Sequence, residues 1–82
     1  MITGIYAFRD KKIGYMQPFL QQNQEVAIRT LKMAVNDAQS TIRRMAEDID
    51  LYQLGTFDDE SGEIKPAQKY IASAINYREE LQ

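Results

Sequence analysis

The chain of 82 residues contains no cysteine and no histidine. Thiol nucleophiles, disulfides, imidazole bases and the usual structural zinc sites are excluded together, so most enzyme mechanisms lose a member. Also missing is any apolar run near the roughly 18 residues that suggest a membrane span. The opening MITGIYAF lacks the charged start and small-residue cleavage site of a signal peptide. A cytosolic protein with no membrane contact is expected. What is present, 44% hydrophobic and 27% charged residues, supplies enough apolar surface to offset chain entropy. The length fits a single domain, residues 1–82, with a modest core that a partner or homo-oligomer would help to stabilise.

The net charge of −2 conceals two halves of opposite sign. Up to residue 46, seven cations stand against three acids and leave +4; from residue 47 onward, three cations stand against nine acids and leave −6. Screening limits charge effects to roughly 8 Å at physiological salt, so a basic face can act on a polyanion although the whole chain is acidic. The expectation is that the N-terminal cations gather on one side of the folded molecule.

ITGIYAFR is rich in β-branched and aromatic residues and reads as a strand, with Ile5 and Ala7 on one face and Tyr6 and Phe8 on the other. Pro18 biases its predecessor toward extended geometry, which makes GYMQPFL a connecting segment. Asn23 is suited to cap a helix over 24–37. At 100° per residue, Ala27, Ile28, Leu31, Ala34, Val35 and Ala38 fall within an arc of about 120°, the width of a core-facing stripe. Ser40 is placed to cap a second, short helical segment, TIRRMAE.

In DLYQLGTFDDESGEIKP, apolar groups alternate on both faces of a strand, which suggests a central position in a sheet. DDESG then forms a hairpin turn, because Asp and Ser bond their own backbone and Gly accepts a positive φ. The loop does not bind calcium: with Gly62 as the loop glycine, ligand positions fall on Phe57 and Gln68, where a carboxylate is required. Nor are adjacent Asp58 and Asp59 on a loop tip a catalytic pair, which needs two acids held apart around a pocket. Neither a metal, a cofactor nor a catalytic centre is expected. After Pro66 the residues Ala67, Tyr70, Ile71, Ala74, Ile75, Tyr77 and Leu81 share one broad helical face; a strand through KYIASAI is the competing reading.

The resulting fold class is α+β, with a small three-stranded antiparallel sheet near 2–9, 49–57 and 63–65. It is packed against one main amphipathic helix and followed by a short second helix and a helical C-terminus.

Pro18 and Phe19, then Asn23 with Ala27, Ile28 and Arg29, then Asn36, Asp37 and Ser40 precede Asp48 and the DLYQLGTFDD hairpin with Gly62. This order resembles the small nonstructural DNA-binding protein of gokushovirus-type microviruses, phages with circular single-stranded DNA. The likeness spans residues 18–62, about half of the chain, and is most specific in Leu51, Tyr52, Leu54, Gly55, Phe57, Asp58 and Asp59. The chain departs from it at Ala46 and Glu47, where family members often carry a proline, and in its terminal segment from Lys69. The resemblance implies a nonstructural protein in the cytoplasm of the infected bacterium, associated with phage DNA replication or the switch to single-strand synthesis and packaging.

Single-strand binding needs cations along the phosphates and aromatic faces for the bases. Arg9, Lys11 and Lys12 at the first turn, Arg29 and Lys32 on the helix flank, and Arg43 and Arg44 after it are the candidate cations, and Tyr15 is the candidate stacking residue. Tyr6 and Phe8 also qualify, with core packing as the competing role. The sequence pI of about 5.0 favours a second class: a protein-interaction module docking on a phage or host replication protein or procapsid through an apolar surface or through Asp58, Asp59, Glu60 and Glu63. A homo-oligomer would bring two basic faces together.

Overall fold

Side-chain alternation along the first strand decides which side of the sheet becomes core. The structure, a computed structural model, describes residues 1–79. Strand β1 covers Ile2–Asp10; its Tyr6 is buried and Phe8 packs beside it in the core cluster. The intervening Ala7 and the following Arg9 belong to the opposite face, because neighbouring residues of a strand alternate. The segments Gly14–Tyr15 (β2) and Phe19–Gln21 (β3) both pair antiparallel with the outer edge of β1. The expected connecting segment around Pro18 therefore contributes two short strands, and Phe19 stacks on Phe8 and Tyr6 with ring centroids at 5.4 and 6.2 Å.

Helix α1 runs over Gln24–Asn36, and the Asn23 side chain accepts a 3.0 Å hydrogen bond from the Val26 N–H, as the cap reading requires. Ala27, Leu31 and Val35 of its stripe are buried on the Tyr6 side of the sheet. The helix ends before Ala38, which is exposed. Ser40 caps helix α2, Thr41–Arg44, through a 3.0 Å bond from the Ile42 N–H. The predicted TIRRMAE helix stops there, and a 3-10 turn, Ala46–Asp48, leads into the next strand.

Strand β4, Ile49–Asp58, pairs with β1 on one side and with β5, Ile64–Ser73, on the other. It is central, as its two apolar faces suggest. The sheet order is β2-β1-β4-β5, with β3 also on β1. The antiparallel sheet therefore has five strands, against the three expected.

The largest departure is at the C-terminus. Residues expected as a helix after Pro66 continue β5 to Ser73, and only a 3-10 turn, Ala74–Tyr77, follows; Leu81, placed on that helical face, lies outside the described residues. The stripe of Ala67, Tyr70, Ile71 and Ala74 fits a helical period, but the same residues tolerate a strand, and the free edge of β4 supplies hydrogen bonds along the whole segment. Two irregularities in the β4–β5 register, at Leu51/Tyr52 and Gln53/Gly55, accommodate the mismatch. Pro66 sits on the outermost strand, where its missing N–H and the neighbouring Lys65 and Lys69 discourage further edge pairing.

The β4–β5 turn has the predicted chemistry. Asp58 Oδ1 accepts from the Glu60 N–H at 2.9 Å, the Gly62 N–H bonds the Asp58 carbonyl at 2.8 Å, and Gly62 has φ +77°. The turn ends a molecule measuring 47 × 24 × 18 Å. Gly55 lies opposite both Ile5 and Pro66, and a Cβ there would fall on the Lys65 carbonyl oxygen. Gly55→Ala is expected to lower stability by about 1–3 kcal/mol, the range for forced overpacking, read as a shifted urea midpoint. An unchanged midpoint would mean that the β5 backbone yields freely.

Candidate nucleic-acid interface

The face of the sheet turned away from α1 carries a transverse row drawn from four strands. Tyr15 of β2 is the register partner of Arg9 on β1. Tyr52 of β4 lies opposite Ala7, and Tyr70 of β5 lies opposite Tyr52. Ala7 is the residue that leaves room: its side chain is small and buried in the middle of the row.

The rings meet edge to face. Tyr15 and Tyr52 centroids are 5.6 Å apart with planes at 84°, and Tyr52 and Tyr70 are 5.9 Å apart at 79°. The Arg9 guanidinium carbon lies 5.7 Å from the centroids of both Tyr15 and Tyr52, a cation–π distance. An Arg9 Nη1 also donates to the Tyr52 hydroxyl at 3.4 Å. Gln68 Nε2 donates to the Tyr15 hydroxyl at 3.4 Å, and the hydroxyls of Tyr70 and Ser73 are 2.6 Å apart. The flanking rings remain accessible, Tyr15 being 43% and Tyr70 49% exposed.

Lysines stand at the same end of the sheet with loose carboxylate partners. Lys11 Nζ is 3.9 Å from Asp50 Oδ2, and Lys12 Nζ is 3.6 Å from Asp48 Oδ2. Asp50 is buried beside the row, and its Oδ1 has no hydrogen-bond partner among the described residues. Both lysine side chains are at least half exposed, so solvent keeps these pairs weak.

The eight residues chosen from sequence do not form one basic side. Arg9, Lys11, Lys12 and Tyr15 come together at this end of the sheet. Arg29 and Lys32 are on the exposed flank of α1, across the sheet, where Lys32 Nζ lies 5.2 Å from the Tyr77 ring. Arg43 is engaged in tying down the chain end: it donates to the Val35 carbonyl at 3.3 Å and to the Glu79 carbonyl at 2.5 Å, while Asn36 bonds the Tyr77 carbonyl and the Glu79 N–H. Arg44 is exposed and donates to the Thr41 hydroxyl. The sheet itself separates the two groups, because α1 and the open face lie on opposite sides of it. Tyr6 and Phe8 are core residues; burial pushes the Tyr6 phenol above its ordinary pKa.

Tyr52 and Tyr70 were missed as site residues. Tyr52 alternates with the core residue Leu51 and so could be placed on the opposite face from sequence. Tyr70 could not, since its strand was read as a helix.

Among the described residues, no group of three or more acids is arranged to hold a metal, and no helix is long and apolar enough to cross a membrane. At the far end of the sheet, the Asp58 carboxyl is held below its ordinary pKa chiefly by the Glu60 backbone N–H, and the Met1 amine is held above its own chiefly by its hydrogen bond to Asp59.

These features define a small α+β protein whose five-stranded antiparallel sheet is covered by helix on one face and lined with tyrosines on the other. The chain belongs to the Phage ORF5 protein family, whose model matches residues 3–77. Neither the curated proteins nor the solved structures contain a match.

Proposed function

We propose that the protein is a non-catalytic phage protein that binds single-stranded DNA on the open face of its sheet. The observation that carries this reading is the Tyr15–Tyr52–Tyr70 row with Arg9 between the rings. Exposed aromatic faces accept any base by stacking, and a guanidinium beside them meets both a base and a phosphate. Lys11 and Lys12 extend the cationic end. The acids of the β4–β5 turn lie apart from this face, whereas Asp50 and Asp48 stand beside Lys11 and Lys12 and offset part of their charge. Asp58 and the turn beyond it lie opposite Ile2, seven residues along β1 from Arg9, or roughly 23 Å at a strand rise of about 3.3 Å per residue. That separation exceeds the Debye length.

The likeness to nonstructural proteins of gokushovirus-type microviruses supports a role in phage DNA replication or in the switch to single-strand synthesis and packaging. It also supports a location in the cytoplasm of the infected bacterium.

A fluorescence titration of labelled single strands at several salt concentrations tests the reading. With Arg9, Lys11 and Lys12 as the phosphate contacts, the log–log salt slope is expected near −2, from about −0.7 per contact. Matching duplex should bind more weakly, since its bases are already stacked. No binding at low salt, or equal affinity for duplex, would remove the stacking site.

A further inference from the structure

We infer, on the footing of single-strand binding at the open face, that Asp50 makes the site select guanine: its carboxylate accepts hydrogen bonds from the Watson–Crick edge of a base stacked on the tyrosine row. Strand alternation puts Asp50 on the same face as Tyr52, away from its core neighbours Ile49 and Leu51. Its register partners are Arg9 on β1 and Ser73 on β5, and the Ser73 hydroxyl bonds that of Tyr70, an exposed ring of the row. Asp50 and Tyr52 are two residues apart, roughly 7 Å at about 3.3 Å per residue, so a base stacked beside Tyr52 has its edge within reach of the carboxylate.

The carboxylate awaits a donor. The Asp50 side chain is 8% exposed, and its Oδ1 has no hydrogen-bond partner among the described residues. Its Oδ2 lies 3.9 Å from Lys11 Nζ, beyond hydrogen-bonding distance. Lys11 is half exposed and its contact to the Glu47 carbonyl is 3.5 Å long, so it is free to shift as a base enters. A buried carboxylate oxygen without a donor costs free energy, and a ligand that supplies the donor recovers it. The other buried acid, Asp10, is already engaged: its Oδ1 accepts from the Lys12 N–H at 2.9 Å in the turn after β1.

Donor pattern selects the base. An ionised carboxylate is acceptor-only, and guanine presents two adjacent donors, N1–H and N2–H, along its Watson–Crick edge. Adenine and cytosine each place one amino donor next to an acceptor nitrogen, and thymine places one N3–H between two carbonyls. Two carboxylate oxygens therefore match guanine and meet a lone pair on each of the others. The Lys11 ammonium, beside Oδ2, is the donor for guanine O6. Pairing blocks this edge in a duplex, so the selectivity belongs to single strands.

Fluorescence titrations of the full chain read the preference, with short labelled thymidine strands that carry one central guanosine, adenosine, cytidine or inosine. The guanosine strand should bind roughly tenfold more tightly than the all-thymidine strand, the discrimination expected of one bidentate base contact. Inosine, which lacks the N2 amino group, should lose most of that gain, whereas 7-deazaguanosine, which keeps the Watson–Crick edge, should retain it. Asp50→Asn exchanges an acceptor for a donor and should bring the ratio of guanosine to thymidine affinities close to one. A carboxylate with a merely structural role would leave that ratio as in wild type, and this result would overturn the inference. Should the variant not fold, the inosine comparison on the wild-type chain decides. Equal wild-type affinity for all the strands would sink guanine selection and leave the stacking site standing; no binding to any strand would remove both.

Discussion

Replacing Tyr15 and Tyr70 together with alanine is expected to lower affinity for single-stranded DNA about thirtyfold or more, because each stacked base contributes about 1–3 kcal/mol. The two rings flank Tyr52 at 5.6 and 5.9 Å and are the more exposed members of the row. Their removal strips the stacking surface while the buried core residues Tyr6, Leu51 and Ala72 stay in place. The urea midpoint should therefore move little. The corresponding phenylalanine changes should keep most of the affinity, because stacking uses the ring, and the hydroxyls contact Gln68 and Ser73. Full affinity in the double alanine variant would show that bases do not stack here.

The complementary result concerns the other side of the sheet. Leu31 is fully buried at the centre of the α1 stripe, and Leu31→Ala is expected to cost about 2–5 kcal/mol through lost transfer energy and the cavity left behind. Small domains have only about 5–15 kcal/mol of total stability, so this single change removes a large share. Urea unfolding should show a lower midpoint with an unchanged slope. Under conditions where the variant is still folded, DNA affinity should match wild type, since Leu31 and the tyrosines lie on opposite faces. A loss below about 1 kcal/mol would mean that α1 does not seal the core as described.

The elements legible in the sequence are those whose signals are local. Asn23 caps α1 within three residues, and the stripe of Ala27, Leu31 and Val35 needs only the helical period. Ser40 likewise caps α2. Asp58 and Gly62 shape the turn between β4 and β5 through bonds spanning at most four residues. The end of β5 was not legible, because Tyr70, Ile71 and Ala74 satisfy a helical spacing and a strand composition equally well. Pairing with β4 decides between them, and that partner lies some twenty residues earlier in the chain.

The candidate interface divides in the same way. Arg9 and Tyr15 are close in sequence and were found together. Tyr52 and Tyr70 reach them only through the register of β1 on β4 and of β4 on β5, including the irregularity beside Tyr52. The cations show the converse: Arg9 and Arg29 were grouped by composition, but one strand face and one helix flank put the sheet between them. Arg43, taken for a surface cation, is engaged by carbonyls of Val35 and Glu79 that no local pattern connects to it.

The amino-acid sequence alone thus determined the α+β class, the helix caps, the hairpin turn and the exclusion of thiol and imidazole chemistry. These follow from residue identity or from contacts a few positions apart. Tertiary structure alone decided that residues after Pro66 form a strand, that three distant tyrosines share one face, and that the cations fall into two groups. Strand pairing joins residues remote in sequence, and its hydrogen bonds and packing override propensity differences of about 1 kcal/mol.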